Sequence, residues 1–329
     1  MANGLYKNFN ANPMKMLPLL FSPAGKNARL SIVIYHRVLP KPDPLLGGSD
    51  VESFETELKY LTKNFNILPL SEAVKRLRSG TLPSRAVSIT FDDGYADNAE
   101  IALPILLKYG ITATFFVASG FLDGGRMWND TVIESIRQVQ GEVLDLNEID
   151  LGTHAMTSLD ERRRALSFLI GALKYLPQEA RQSQVEKVRA LISADLPDNL
   201  MMTSDQVRQL HHAGMEIGGH TINHPILTSI GNAAARTEIA EGKEILEGII
   251  RAPVRLFAYP NGKPGKDYQV DHVNMVRQLG FDAAVSTAWG AARDSDDCFQ
   301  LPRFTPWDKS EFFYVSRMVR NIFHKIEVA

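Results

Sequence analysis

Short runs of β-branched and aromatic residues recur along the chain, and most are followed by a segment whose apolar positions repeat at helical spacing. Leu30-Ser31-Ile32-Val33-Ile34-Tyr35 is the first run and ends in His36. After a Pro- and Gly-rich loop, Phe54, Leu58 and Leu61 mark a helix over 53–61. A short strand at 65–68, a helix at 71–77 and a strand at 86–91 follow. A helix at 99–109, closed by Gly110, leads to a strand at 112–117. The same alternation returns after Thr203, whose spacing to Gln206 is that of a capping box opening a helix to His212. Strands at 215–219, 254–259 and 283–286 then alternate with helices at 233–250 and 273–279. Strands and helices alternating with short links predict an α/β fold, a sheet or barrel of parallel strands.

Residues 123–200 break this rhythm. They read as largely helical, with Ser158 to Glu161 as a second capping box, and are expected to form a helical insertion. The predicted organisation is an N-terminal extension, residues 1–28, loosely ordered, and a catalytic domain over 29–329 carrying that insertion. No repeat or low-complexity tract divides it further.

Composition narrows the class. With 44% hydrophobic and 22% charged residues the chain reads as an ordinary globular protein. A net charge of −2, with no basic run, argues against a nucleic-acid partner. A lone Cys298 rules out an intramolecular disulfide framework or a cysteine-rich metal site. No apolar run reaches bilayer-spanning length, and the six residues 16–21, interrupted by Pro18, are too short for a signal peptide core. The expected location is cytoplasmic, with peripheral membrane association or export left open.

The chemistry-bearing residues gather at strand ends. Strand 86–91 stops abruptly at Asp92-Asp93-Gly94. By itself this reads either as a solvated turn or as two carboxylates sharing one cleft, where a cation or proton must relieve their repulsion. Further on, His220-Thr221-Ile222-Asn223-His224 sets two imidazoles four residues apart beside glycines and Pro225, in a strand-to-loop junction. Two histidines and a carboxylate suffice for a catalytic zinc, although such a pair also occurs on solvated helices.

Together, Thr90-Phe91-Asp92-Asp93-Gly94 and His220-Thr221-Ile222-Asn223-His224 resemble the first two motifs of the polysaccharide deacetylase family (NodB-like, carbohydrate esterase family 4). Phe257-Ala258-Tyr259-Pro260-Asn261-Gly262 resembles its third. The resemblance implies an irregular (β/α) barrel and removal of acetyl groups, N-acetyl ahead of O-acetyl, from a saccharide substrate. It implies one divalent metal held by Asp93, His220 and His224, zinc before cobalt, nickel or iron. Asp92 is then the general base acting on metal-activated water, and Asn261, Tyr259 and Trp128 surround the substrate and its oxyanion.

Two departures from the family pattern matter. The third motif has Ala258 where many members carry an arginine paired with the base; Arg303 is the candidate replacement. The family's late strand ending in a catalytic histidine is missing, but Ile32-Val33-Ile34-Tyr35-His36 has its form at the start of the chain. Some members acting on poly-N-acetylglucosamine have such a permuted order, and in a closed barrel first and last strands are neighbours. His36 is therefore assigned as general acid. His272, at a helix start, and His324, in the tail, are the late and weaker candidates for that role. His154, His211 and His212 are read as structural, Trp289 and Trp307 as packing residues with a weaker claim to stack on sugar, and residues 294–297 as a solvated turn. The alternative functions are hydrolysis of a small cyclic amide and non-catalytic carbohydrate binding.

Overall fold

A computed structural model describes residues 18–329. The strands are β1 (Leu30–Tyr35), β2 (Val38–Leu39), β3 (Ser49–Asp50), β4 (Asn66–Ile67), β5 (Ala86–Phe91), β6 (Thr114–Val117), β7 (Val143–Leu146), β8 (Gly152–Ala155), β9 (Glu216–Gly219), β10 (Leu256–Ala258) and β11 (Ala283–Val285). The helices are α1 (Val51–Asn64), α2 (Leu70–Arg78), α3 (Leu103–Lys108), α4 (Trp128–Gln138), α5 (Leu159–Leu173), α6 (Gln178–Ile192), α7 (Ser204–His212), α8 (Asn232–Ile250), α9 (Val270–Gln278) and α10 (Glu311–Asn321).

The main sheet is parallel throughout, in the order β1-β5-β6-β9-β10-β11, with β4 paired to the start of β5. Its two ends meet through the segment 301–304. Leu301 bridges to Val285 of β11, and Phe304 bridges to Val33 of β1. The curled sheet is thereby an irregular (β/α) barrel, as the family resemblance implied, and its strands are parallel, as the alternating pattern predicted.

Side-chain alternation sorts the strands between two cores. Val33, Tyr35, Val87, Ile89, Phe91, Phe115 and Val117 pack outward among the surrounding helices. Leu30, Ile32, Ala86, Phe116, Leu256, Val285 and Leu301 form a second cluster within the barrel, joined by Leu70, Val74 and Leu77 of α2. At β5 the residues alternating with the outward set are Ala86, Ser88 and Thr90, all small. Their hydroxyls are satisfied by neighbouring carbonyls, Ser88 Oγ donating to Leu68 O and Thr90 Oγ1 to Val33 O. Small inward side chains leave room for one large polar group inside the barrel, and Arg303, fully buried, occupies it.

The segment 123–200 is not uniformly helical. α4, α5 and α6 are joined by an antiparallel hairpin of β7 and β8, so His154 lies on a strand rather than in a loop, its Nε2 2.8 Å from Leu151 O. The β-branched and apolar residues of β7 are too few to show a period, which is why the hairpin escaped a reading by pattern. Both capping boxes form as predicted, at Ser158 and Thr203. The helices and hairpin bury their own cluster, which Leu45 joins from the loop between β2 and β3. The expected helix at 99–109 opens as a π-helical turn, Asn98–Ala102, before α3.

Of the expected N-terminal extension, residues 1–17 lie outside the described residues. The remainder is tied to the barrel rather than loose, since Arg85 N donates to Ser22 O and Gly25 N to Leu82 O, each at 2.9 Å. No helix among the described residues is long and apolar enough to cross a membrane.

Candidate metal and catalytic centre

The parallel register brings the predicted residues to one end of the barrel. Tyr35 pairs with Phe91 at the last step of the β1–β5 ladder, and Asp92 N donates to Tyr35 O at 3.0 Å. His36 and Asp92 therefore follow directly from adjacent, aligned strand ends. Gly219 of β9 pairs with Val117 of β6 and with Phe257 of β10, so His220 emerges beside them. A cavity of about 250 Å³ at this end is lined by His36, Asp92, Asp93, Trp128, His220, His224, Asn261 and further residues from α5, α6 and the 287 loop.

Several of these residues hold unusual backbone. Asp93 (φ 75°), Thr221 (φ 64°), His224 (φ 51°) and Asn261 (φ 57°) all lie in the left-handed region. For a β-branched residue such as Thr221 this is a real departure, tolerated where surrounding contacts over-determine it. Its hydroxyl donates to His220 O and accepts from His224 N, closing the loop on itself. From outside, α8 fixes the same loop. Glu238 accepts hydrogen bonds from Ile222 N, Asn223 N and Asn223 Nδ2 at 2.8–2.9 Å. One turn on, Gly242 brings α8 so close that a Cβ there would lie 2.9 Å from Thr221 C. Neither residue was singled out from the sequence. The usable signal was a glycine inside an otherwise strong helical pattern, which marks close packing.

The loop and the Asp93 turn together build a pocket of electron-pair donors. One atom each of Asp93, His220 and His224 lies within 4.8 Å of the others. Asp93 Oδ1 is 3.5 Å from Nε2 of both histidines, and the two Nε2 atoms are 3.1 Å apart. His220 Nδ1 lies 2.7 Å from Ala258 O. A carbonyl can only accept, so Nδ1 carries a proton. Burial lowers the His220 pKa, but Asp93 and then Asp92 outweigh it and raise it. Once Nε2 gives up its proton to a cation, its lone pair faces the pocket. Burial, reinforced by His220, pushes His224 down to about 3 and keeps it neutral. Burial opposes ionisation of Asp93 too, but the facing imidazoles outweigh it and hold the carboxyl far below its usual range. Two imidazole nitrogens and one carboxylate oxygen converging this closely are a donor set that fits a divalent cation in place of a shared proton.

Asp92 is built differently. Its side chain is 4% exposed, and Arg303, 0% exposed, meets it with two parallel hydrogen bonds of 2.6 Å. Arg303 Nε also donates to Ser286 O at 3.0 Å, and Nη1 reaches Thr90 Oγ1 at 3.3 Å. Burial raises the Asp92 pKa, but Arg303 and then His220 overcome it, so the carboxyl stays below the usual range. Its Oδ2 is 4.0 Å from His220 Nε2, next to the donor pocket but not part of it.

The other predicted residues divide. His36 is exposed, and its ring makes no hydrogen bond among the described residues, while Asn98 Nδ2 holds its backbone carbonyl at 2.9 Å. Trp128 opens α4 and lines the cavity. Asn261 lines it as well, its carbonyl accepting from Thr287 Oγ1 at 2.7 Å. Tyr259 does not: its ring is fully buried, stacked 3.9 Å from Tyr268, with the hydroxyl donating to Phe299 O. At the end of β10 alternation turns Tyr259 outward into the helical core, so its side chain cannot meet a substrate. Trp289, Trp307 and His324 line a separate hollow with Phe304 and Arg317, and His272 caps α9 by accepting from Gln269 N.

The comparisons with known proteins converge on one family. The family model described as polysaccharide deacetylase matches residues 79–284. The Bacillus subtilis (strain 168) protein YxkH is 22% identical over 287 residues, covering 84% of this chain and 71% of that protein. The poly-beta-1,6-N-acetyl-D-glucosamine N-deacetylase of Staphylococcus aureus (strain MRSA252) is 29% identical over 142 residues, 40% of this chain and 49% of that enzyme. Among solved structures, the Streptococcus pyogenes deacetylase PplD in complex with acetate superposes with a TM-score of 0.59 at 19% identity, covering 88% of this chain and 98% of that one.

Proposed function

The chain belongs to the polysaccharide deacetylase family, and from that premise we propose that it hydrolyses N-acetyl groups on a saccharide with a single divalent metal, zinc foremost. Asp93, His220 and His224 would hold the ion, their donor atoms lying within 4.8 Å of one another. Bound there, a divalent ion supplies Lewis-acid polarisation and lowers the pKa of water, the two things amide hydrolysis lacks at neutral pH.

The remaining steps fall to the chain's own side chains. Asp92 is the general base. Arg303 occupies one lone-pair direction on each of its oxygens, which fixes the carboxylate plane and keeps it ionised, while the other directions stay free to take a proton from the attacking water. Charge developing on the acetyl oxygen is met by the Asn261 N–H, which donates to no group among the described residues. His36, beside Asp92 at the strand ends and with an uncommitted ring, gives a proton to the leaving nitrogen.

The observation that carries this reading is the division of labour between adjacent aspartates, one facing two histidines and the other clamped by a buried arginine. Its test is acetate release from N-acetylated β-1,4- and β-1,6-glucosamine oligomers by metal-loaded protein. Turnover that is abolished by a chelator, restored by zinc and lost in Asp92→Asn supports it; metal-independent turnover, or none with any acetylated saccharide, refutes it.

A further inference from the structure

One cation in the catalytic cavity has no counterpart in the chemistry above. Arg181, on the first turn of α6, lines the cavity and is only 4% exposed. Its Nη1 donates to Lys174 O at 3.3 Å, whereas Nε and Nη2 donate to no group among the described residues, and no carboxylate pairs with it. Its guanidinium lies 5.2 Å from the centre of the Trp128 ring. Stacking of this kind engages the face of the guanidinium and leaves its hydrogen-bonding edge free. Burial lowers the Arg181 pKa, and no neighbouring charge contributes in either direction.

A second unpaired cation stands next to it. Lys174, at the end of α5, also lines the cavity and takes part in no salt bridge among the described residues. Among the described residues, the only carboxylates lining the cavity, Asp92 and Asp93, are committed to Arg303 and to the histidines. A buried guanidinium without an anion is costly, and native chains retain one where a ligand supplies the missing charge.

We propose that Arg181, with Lys174 at its rim and Trp128 beneath it, is a subsite for an anionic oxygen group, a carboxylate or a phosphate, borne by the saccharide whose acetyl group is removed. The inference rests on the deacetylase reading and names its substrate class: an acidic sugar, or one esterified to phosphate. A forked guanidinium matches either group through two parallel hydrogen bonds, and the aromatic face beside it suits the apolar face of the sugar ring. Because the two cations flank the turn between α5 and α6, the segment that interrupts the barrel's alternation is what sets this preference.

The test separates binding from turnover. Metal-loaded protein is titrated calorimetrically with glucose, glucuronate and glucose 1-phosphate, none of which carries an acetyl group. At least one anionic sugar should bind tenfold or more tighter than glucose, and whichever does so identifies carboxylate or phosphate. Arg181→Gln should erase the difference. Lys174→Gln, a change at a half-buried end of a helix, should reduce it several-fold with the unfolding transition unmoved. Equal affinity for all three sugars overturns the proposal, as does an anionic preference that survives both substitutions. Acetate release from neutral and acidic N-acetylated sugars is then compared. Anion binding without release from any substrate sinks the deacetylase reading alone; release that ignores substrate charge sinks the anionic subsite alone.

Discussion

The Arg303 guanidinium meets the Asp92 carboxylate edge to edge, with Nη1 to Oδ1 and Nη2 to Oδ2 both at 2.6 Å, across 211 residues of sequence. The segment 301–304 makes this contact as it closes the barrel between β11 and β1. The pair is thus part of the closure and of the proposed catalytic centre at once.

Arg303→Lys should keep the charge but lose the fork. A lysine offers one ammonium where two parallel donors are needed, so the carboxylate is free to rotate. We expect kcat to fall on the order of 10²-fold, the scale on which small misplacements act, with metal content unchanged. Arg303→Met should instead destabilise the fold by about 3–5 kcal/mol, since it strands a buried carboxylate. Urea unfolding and metal analysis on the two variants check both; unaltered kcat in Arg303→Lys would remove Arg303 from the chemistry.

The sequence made the barrel and most of this centre legible, for a physical reason. Strands ending in Asp92-Asp93, in His220 and in His36 announce themselves because an apolar run that stops at a charged or titratable group has few structural explanations. Arg303 could be named as a candidate partner of Asp92 only through the family resemblance, because no local pattern encodes which strand ends face each other across a closing barrel. Tyr259 was misplaced because motif adjacency says nothing about which side of β10 a ring takes. Gly242 left only the trace of a glycine within a helical pattern, and Glu238 and Arg181 were invisible for a related cause. Each acts through a helix whose amphipathic pattern is satisfied without it.

Removal of the metal should be felt in stability as well as turnover. In the donor pocket the two Nε2 atoms are 3.1 Å apart and face Asp93, a cluster of lone pairs that a cation stabilises. A ligand at a hundred times its Kd stabilises the folded state by about 2.7 kcal/mol. Chelation should therefore lower Tm, and re-addition of zinc should restore it. His224→Ala should abolish the zinc-dependent part of Tm while leaving the chelated protein's Tm close to the parent's. A Tm indifferent to zinc in the parent protein would count against a metal at this site.

His36→Ala should separate catalysis from folding. The side chain is exposed and its ring holds no hydrogen bond among the described residues, so stability should change by no more than about 0.5 kcal/mol. Loss of a positioned proton donor should cost roughly 10²–10⁴ in kcat. An oligomer with a better leaving amine should suffer less than a poor one. If kcat is untouched for both, the proton comes from elsewhere.

Gly242→Ala is a test of how the histidine loop is held. The added methyl would meet Thr221 C at 2.9 Å and Thr221 O at 3.0 Å, backbone atoms that cannot rotate aside. Alanine favours the helix by about 1 kcal/mol over glycine, so on helical grounds alone the variant should be more stable. The close approach should reverse that and push His220 and His224 out of alignment with Asp93. Zinc affinity should fall about 10- to 100-fold, as for the loss of a residue that orients metal ligands, with a smaller effect from Glu238→Gln, which leaves an acceptor for part of the loop. A variant stabilised with unchanged zinc affinity would show that α8 can retreat.

Glu57 should make stability depend on pH at a distance from the donor pocket. On α1 and only partly exposed, its Oε2 accepts from the Tyr35 hydroxyl at 2.5 Å. Burial pushes the carboxyl from an ordinary 4.5 up to about 7, with Tyr35 pulling partly the other way. The folded chain therefore holds this proton more tightly than the unfolded chain does. The resulting stabilisation is full below pH 4.5, declines as pH rises, and is gone once the folded carboxyl ionises above pH 7. By linkage the span is worth roughly 3 kcal/mol. Glu57→Gln keeps the acceptor for Tyr35 and never ionises, so relative to the parent it should gain about 2 kcal/mol between pH 5 and pH 8 in urea unfolding. The gain should appear as a steeper loss of stability in the parent over that window, opposite in sign to the loss on acidification that Asp92, held below the usual range by Arg303, produces at low pH. Parallel stability profiles for parent and variant would mean that Glu57 is already ionised and solvated in the folded protein.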